Sequence, residues 1–273
     1  MLRRHTRVES ALTWLVLVSL IVLWLPMTAV ACTLDRDPAR YPSGRFFRRL
    51  GWWMSRANRA WRIEIDGEKL ENPRNPYVVV CNHLALADIP IISALPWEMK
   101  WIAKKELLKT PLIGWLMRLV GDIPVDRGSK RSRAGVLIAA RQYLKDKCSV
   151  MFFPEGTRSP DGRLYGFSKG AFRLAIKTQV PVLPLVIDGS QYTLPRPGWR
   201  FGQAHVRLRV LPPVDTKGLK LADTEALCDR VRAAIAGQLA TWRGVSQGAV
   251  DALIECAHGT QRPAAALTRA SAL

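Results

Sequence analysis

An uncharged apolar segment near the N-terminus is the feature that most constrains how this chain can fold. Residues 10–34 contain no charged side chain, and about 20 apolar residues in a helix suffice to cross a bilayer. We therefore predict an N-terminal membrane anchor over residues 1–34. Pro26 leaves open a helix that breaks and turns back as a re-entrant hairpin, and the small residues at 29–31 leave open a cleaved signal peptide.

A second segment, within residues 35–61, has an amphipathic pattern. At about 100° per residue, apolar residues fall on one side of a helix and arginines on another. This is typical of a helix lying on an anionic membrane surface, although a helix packing its apolar side onto the domain has the same pattern. The arginines after residue 34 predict that this side faces the cytoplasm, at the inner membrane of the cell. The apolar set is Phe46, Leu50, Trp53, Ala57 and Trp61, and the basic set is Arg45, Arg48, Arg49, Arg56 and Arg59.

The overall charge narrows the classes of partner. With 41 basic and 22 acidic residues, the chain has a formal net charge of +19, which suits nucleic acid, an anionic membrane or a phosphorylated substrate. A basic binding protein without catalysis is one reading, but no nucleic-acid-binding motif is recognisable, so no nucleic-acid partner is expected. The five cysteines are widely spaced without a Cys-x-x-Cys pair, which predicts a reducing compartment rather than a disulfide framework or zinc site.

Residues 62–244 alternate between short apolar runs and helical patterns, which predicts a single α/β domain. The remaining residues, 245–273, are predicted to be a weakly specified C-terminal tail. Predicted strands occupy residues 62–67, 78–82, 97–103, 121–125, 149–153, 180–187 and 204–211, and predicted helices occupy 88–94, 106–120 (interrupted at Pro111), 129–147, 171–178 and 222–242.

His83 and Asp88 follow the buried strand at 78–82, where open α/β sheets place ligand sites. On one continuous helix, residues five apart point about 140° away from each other, so the two side chains would not meet. They can meet if His83 lies in the loop and Asp88 in the first helical turn, and Pro90 favours a helix start there. The alternative is that Asp88 only caps the helix, and the spacing alone does not decide between the two.

Two further strand ends have polar residues suited to a phosphorylated ligand. Glu155, Gly156, Thr157 and Arg158 combine an acid, a flexible glycine, a hydroxyl and a guanidinium after the strand at 149–153. Glycine allows close approach of a ligand to the backbone. Arg127, after the strand at 121–125, can make a forked contact to phosphate, or it can be an ordinary surface arginine.

Four short blocks of sequence, taken in the order in which they occur along the chain, resemble the glycerolipid acyltransferases, most closely the bacterial 1-acyl-glycerol-3-phosphate acyltransferases. The resemblance covers about residues 76–187 and implies a mixed central sheet flanked by helices, so that residues 62–244 are the acyltransferase domain. The first block is Asn82, His83 and Asp88, the second is residues 121–127, the third is residues 153–159 and the fourth is residues 180–184.

The resemblance also implies a role for each block. His83 is the expected general base and Asp88 the residue that orients it. The other residues are expected to bind or shape the acceptor: Arg127 binds its phosphate, Asn82, Glu155, Gly156, Thr157 and Arg158 contribute to substrate binding, and Pro184 shapes the pocket.

The reaction implied is transfer of a fatty acyl group from acyl-CoA or acyl-carrier protein to a lysophospholipid hydroxyl. The expected acceptor is 1-acyl-glycerol-3-phosphate, which would give phosphatidic acid, and the alternative is another lyso-lipid such as a lyso-ornithine lipid. The expected partners are therefore the acyl donor, a membrane lipid and an anionic membrane surface. The chemistry requires neither a metal nor a cofactor.

Overall fold

A seven-stranded sheet forms the centre of the molecule. The computed structural model describes residues 5–159, 161–195 and 198–251. The strands are β1 (Trp61–Gly67), β2 (Val78–Cys81), β3 (Met99–Lys104), β4 (Ile123–Val125), β5 (Ser149–Phe152), β6 (Val182–Asp188) and β7 (Ala204–Val210). The helices are α1 (Arg7–Leu34), α2 (Tyr41–Arg56), α3 (Asp88–Ile92), α4 (Ile113–Leu119), α5 (Lys130–Lys145), α6 (Gly170–Thr178), α7 (Thr224–Arg243) and α8 (Gln247–Val250).

The strand order is β1-β7-β6-β2-β5-β3-β4. Every neighbouring pair is parallel except β6 and β7, which are antiparallel. The predicted α/β fold with a mixed central sheet is therefore confirmed. Strand β2 lies between β5 and β6 and is fully buried. Its unbroken apolar sequence is typical of a strand that is covered on both faces. Its carboxyl end therefore brings the following loop to the middle of one sheet edge.

Helices cover both faces of the sheet. Helices α5, α6 and α7 pack in one apolar cluster with alternate residues of the central strands, such as Val78 and Val80 of β2. The intervening residues, such as Val79 and Cys81, face the other side and pack in a cluster with α3. Helices α2 and α4 pack over β3 on this second side. The two faces therefore carry different helices, with α5 and α2 on opposite sides of the sheet.

Helix α1 is continuous and packs along the domain. It begins with a capping box formed by Thr6 and Glu9 and continues through Pro26, so the break at this proline is not formed. Near its C-terminal half, the ring of Trp24 stacks on Phe46 of α2 with centroids 5.3 Å apart, and its Nε1 donates to the Phe46 carbonyl at 3.2 Å. By length and composition α1 could cross a membrane.

Helix α2 differs from the predicted interfacial helix in its bounds and in which side is buried. It ends at Arg56, and Trp61 begins β1. Arg48, assigned to the exposed basic side, is 3% exposed and ion-paired with Asp122 and Glu98. Trp53, assigned to the apolar side, is 53% exposed, which is compatible with a side that faces lipid. The prediction was wrong for Arg48, because the two acids that pair with it lie on other elements, which helical periodicity cannot detect.

In place of the broken helix predicted over residues 106–120, the structure has a 3₁₀ turn, Leu107–Lys109, and then the separate helix α4. Of the predicted tail, residues 247–250 form α8, and the stretch from residue 252 to 273 lies outside the described residues. The N–H of Leu164 donates to the Val250 carbonyl at 2.8 Å. The start of the tail is thus attached to the loop between β5 and α6.

Candidate active site

His83 and Asp88 meet at the junction between β2 and α3. Strand β2 ends at Cys81 and α3 begins at Asp88, so His83 lies in the loop and Asp88 in the first helical turn. His83 Nδ1 is 2.7 Å from Asp88 Oδ2. The same oxygen accepts the N–H groups of Leu84 and Ala85 at 2.7 and 3.0 Å. The carboxylate therefore holds both the imidazole and the backbone of its loop.

Phe153 sets the plane of the imidazole. Its ring stacks on that of His83 with centroids 3.9 Å apart and planes inclined by 15°. The ring of Trp101 in β3 also contacts the Phe153 ring, with centroids 5.7 Å apart and planes inclined by 47°. Phe153 follows β5, which pairs with β2 on one side and β3 on the other. Sequence reasoning missed this ring contact, because it depends on the order of three strands in the sheet.

Glu155 connects the third sequence block to the His83 loop. Its Oε1 accepts the backbone N–H of His83 at 2.7 Å, and its Oε2 accepts the N–H of Tyr165 at 2.9 Å. The N–H of Ser159 donates to the His83 carbonyl at 2.8 Å. Burial raises the pKa of Glu155 to about 8, and the nearby Asp88 carboxylate acts in the same direction. Both oxygens of Glu155 therefore bind backbone groups. A contact between Glu155 and substrate stays a prediction.

Arg127 reaches the same loop from β4. Its Nη1 donates to the carbonyl of Gly156, and Gly156 has a φ of +70°, a left-handed conformation that favours glycine. Gly156 and Thr157 are exposed and Arg158 is partly buried. The structure thus brings the second and third blocks together at the edge of the sheet that carries His83. Whether these four residues bind substrate stays a prediction.

Asn82 joins β2 to β6 through both ends of its amide. Its Nδ2 donates to the Ile187 carbonyl at 2.8 Å, and its Oδ1 accepts the Ile187 N–H at 2.9 Å. The residue is 1% exposed. Pro184 is also buried within the sheet, paired with Val80. In this geometry both residues support the strands beneath His83, and a direct contact of either with substrate stays a prediction.

The arrangement is suited to moving one proton. A neutral imidazole that donates its Nδ1–H to a carboxylate has its lone pair on Nε2, which can then act as a general base. The carboxylate fixes this tautomer and stabilises the imidazolium that forms. His83 and Asp88 therefore have the geometry of a base and its orienting partner, and Arg127 supplies a fixed positive charge at the same edge.

These features define an α/β protein with a histidine–aspartate pair and a flanking arginine at the carboxyl edge of its sheet. A model of the family described as "Acyltransferase" matches residues 62–188. The chain is 39% identical over 173 residues to sheep 1-acyl-sn-glycerol-3-phosphate acyltransferase alpha, covering 63% of this chain and 60% of that protein. It is 33% identical over 234 residues to a Chlamydomonas reinhardtii 1-acyl-sn-glycerol-3-phosphate acyltransferase, covering 83% and 67%. The chain belongs to the acyltransferase family.

A solved structure shares the architecture over most of the chain. The crystal structure of the 1-acyl-sn-glycerophosphate (LPA) acyltransferase PlsC from Thermotoga maritima superposes with a TM-score of 0.74 at 27% identity. The match covers 88% of this chain and 96% of that one. This chain spans 60% of the length of the sheep relative.

Proposed function

We propose that the protein transfers a fatty acyl group from a thioester donor to the free hydroxyl of 1-acyl-glycerol-3-phosphate, giving phosphatidic acid. The donor is acyl-CoA or acyl-carrier protein. The observation that carries the proposal is the His83–Asp88 pair at 2.7 Å, joined by hydrogen bonds to the loop that Arg127 contacts. The names of the relatives supply the acceptor.

The residues of the site perform the reaction in two steps. His83 Nε2 takes the proton of the acceptor hydroxyl as that oxygen attacks the thioester carbonyl, which forms a tetrahedral oxyanion. The oxyanion collapses to the new ester, the carbon–sulfur bond breaks and the thiolate takes the proton back from the imidazolium. Asp88 holds the ring in place throughout. Arg127 binds the acceptor phosphate, and Arg158 adds positive charge from the adjoining loop.

The membrane supplies the acceptor in this proposal, and the placement of α1 supports a route from the membrane to the site. The N-terminal half of α1 is tied to the domain through Trp14, whose ring packs on Phe201 with centroids 5.0 Å apart. Near its C-terminal end, Cys32 Sγ donates to the Leu119 carbonyl at 3.5 Å. A helix held on the domain at both ends cannot stand upright in the bilayer away from it. We infer that α1 lies along the membrane and immerses its outward apolar side.

The apolar residues on that side are numerous. Eleven large apolar side chains of α1 are exposed, and Trp52 and Trp53 of α2 are exposed as well. Burying such side chains in lipid is favourable at roughly 25 cal/mol per Å² of apolar area, and tryptophan suits the interface. The α1 residues are Val8, Leu12, Trp14, Leu15, Val16, Val18, Val22, Leu23, Met27, Val30 and Leu34.

The N-terminal part of α1 also lies at the edge of the sheet where His83 is found. Strand β7 is antiparallel to β6 and parallel to β1, so β7 and β1 begin where β6 and β2 end. Phe201, just before β7, contacts both Trp14 and Trp61. A lipid hydroxyl rising from the bilayer beside α1 therefore arrives at the edge with the base. We place this surface at the inner membrane, with the domain on its cytoplasmic face.

An acceptor panel tests the proposed function. The purified protein is given a single acyl-CoA and either 1-acyl-glycerol-3-phosphate, a lyso-ornithine lipid or lysophosphatidylethanolamine. We expect turnover to be fastest with 1-acyl-glycerol-3-phosphate, because its terminal phosphate can pair with Arg127. Equal or faster turnover of the lyso-ornithine lipid would assign the same chemistry to another acceptor. A histidine-independent reaction would contradict the mechanism itself.

A further inference from the structure

The outward side of α5 is an exposed surface that the proposed reaction does not use. Its centre is Ile138, which is 73% exposed, and a Cβ added to Gly135 would meet no atom within 4 Å. We call this surface the α5 face. Its residues share one side of the helix by their spacing of three, four or seven, and they are Arg131, Ala134, Gly135, Ile138, Arg141, Gln142 and Lys145.

The α5 face combines positive charge with an apolar centre. Arg131, Arg141 and Lys145 surround Ile138, and the small residues beside it make the surface shallow. Asp146, directly after the helix, accepts from Gln142 Nε2 at 3.1 Å. Apolar contacts at the centre and charges at the rim are the usual arrangement of a protein-binding surface. A partner with an acidic surface would complement this positive charge.

The α5 face is directed away from the proposed membrane surface. The buried side of α5 packs on the sheet with α6 and α7, whereas α1, α2 and α4 pack together on the opposite side. The exposed apolar residues of α1 therefore lie across the sheet from Ile138. A protein immersed through α1 would present the α5 face to water, where a soluble partner can reach it.

The α5 face also begins next to the candidate active site. Helix α5 starts at Lys130, directly after the loop that holds Arg127. Arg133 donates to the Arg127 carbonyl, and Arg127 donates to Gly156. At a rise of about 1.5 Å per residue, Ile138 is about 12 Å along the helix from Lys130. A partner docked over Ile138 would need a flexible arm to bring its cargo to His83.

We propose that the α5 face docks an acidic acyl-carrier protein, which delivers the acyl thioester to His83 on its flexible arm. This inference rests on the proposed acyl transfer. A carrier protein has the acidic surface that the rim of arginines and lysine requires, and it can cover Ile138 with an apolar side chain of its own. Free acyl-CoA has phosphates but no protein surface, so the exposed Ile138 has no use in binding it.

A donor comparison tests the docking surface. The full chain, solubilised in detergent, is assayed on 1-acyl-glycerol-3-phosphate with acyl-CoA and with acyl-carrier protein bearing the same acyl chain. In a double variant, Arg131→Glu with Arg141→Glu, we expect kcat/KM for the carrier protein to fall about tenfold or more, with a weaker salt dependence. The value for acyl-CoA should be unchanged. Ile138→Ser should raise KM for the carrier protein alone.

The matched control reverses two exposed basic residues on α6, Arg173→Glu with Lys177→Glu, and should leave both donors unaffected. Turnover with acyl-CoA but none with the carrier protein would overturn the docking surface and leave the proposed function standing. Turnover with neither donor would reject the proposed function. An equal loss of activity with both donors in detergent would show that the α5 face serves the fold. An equal loss seen only when the assay is repeated on vesicles would show that the α5 face serves membrane binding. Either result would also overturn the docking proposal.

Discussion

The carboxyl group of Glu155 accepts the backbone N–H of His83 at 2.7 Å, although the two residues are 72 positions apart in the chain. Its other oxygen accepts the N–H of Tyr165. The acid of the third sequence block therefore holds the loop that carries the proposed base, and does so from beneath the site. We expect a residue in this position to affect the reaction by positioning His83.

Replacement of His83 tests the proposed base. In His83→Ala we expect acyl transfer to fall by about 10²- to 10⁴-fold, the range that general-base catalysis contributes, while circular dichroism and the melting temperature stay near those of the wild type. The matched control is His205→Ala, which removes a half-exposed histidine that pairs with Glu64 on the sheet. Full activity in a folded His83→Ala protein would eliminate the mechanism.

Replacement of Glu155 separates positioning from substrate binding. In Glu155→Gln, the amide NH₂ would face one of the two backbone N–H donors, so the His83 loop should shift. We expect kcat to drop about tenfold or more with little change in KM for the acceptor, because a loosened base weakens only the transition state. A large rise in KM at unchanged kcat would instead indicate that Glu155 binds the acceptor.

The same carboxyl predicts a pH dependence of stability. Its pKa is raised from 4.5 to about 8 in the folded protein by burial, so the folded state holds a proton that the unfolded state releases. Stability from this group is therefore present below about pH 4.5 and is lost as the pH rises to about 8. Thermal melts should show a steeper decline across this window for the wild type than for Glu155→Gln. Parallel curves would show that Glu155 ionises normally.

A buried ion cluster attaches α2 to the sheet. Arg48 pairs with Asp122 and Glu98, and Lys100 pairs with Glu98 at 3.0 Å, with all four side chains almost wholly buried. Removing one charge leaves its partners uncompensated, which costs about 3–5 kcal/mol. We expect that loss for Arg48→Met in urea unfolding, whereas Arg49→Met, at an exposed neighbouring position, should be nearly neutral. Similar stability of the two variants would show that the cluster contributes little.

The outward side of α1 predicts how the protein binds lipid. Leu15 and Leu23 are both 62% exposed, so replacing them with Asn should leave the fold intact. Each leucine buried in lipid contributes about 1.5–3 kcal/mol, and we expect the double variant to sediment with vesicles at least tenfold less well. The control is Ile138→Asn on α5, which should bind vesicles normally. Unchanged binding by the α1 variant would place that side of α1 outside the lipid.

The sequence was most informative where the evidence is local. The uncharged run predicted α1, the apolar run before Asn82 predicted the buried β2, and the four ordered blocks predicted the family and its sheet. The spacing of His83 and Asp88 required a junction between loop and helix, and the structure has one. The uncharged run, the apolar strand and each separate block are contiguous stretches of the chain, so backbone geometry and hydrophobicity make them readable without the fold.

Other features needed the folded chain. The amphipathic pattern placed Arg48 on an exposed side, but its acidic partners come from residues 50 and 74 positions away. The bond of Glu155 to the His83 backbone and the stacking of Phe153 likewise depend on β2 and β5 being neighbours. The sequence by itself determined which residues are available for the chemistry and the membrane. Only the tertiary structure decided which of them touch, because strand order and helix packing bring together side chains that the chain keeps far apart.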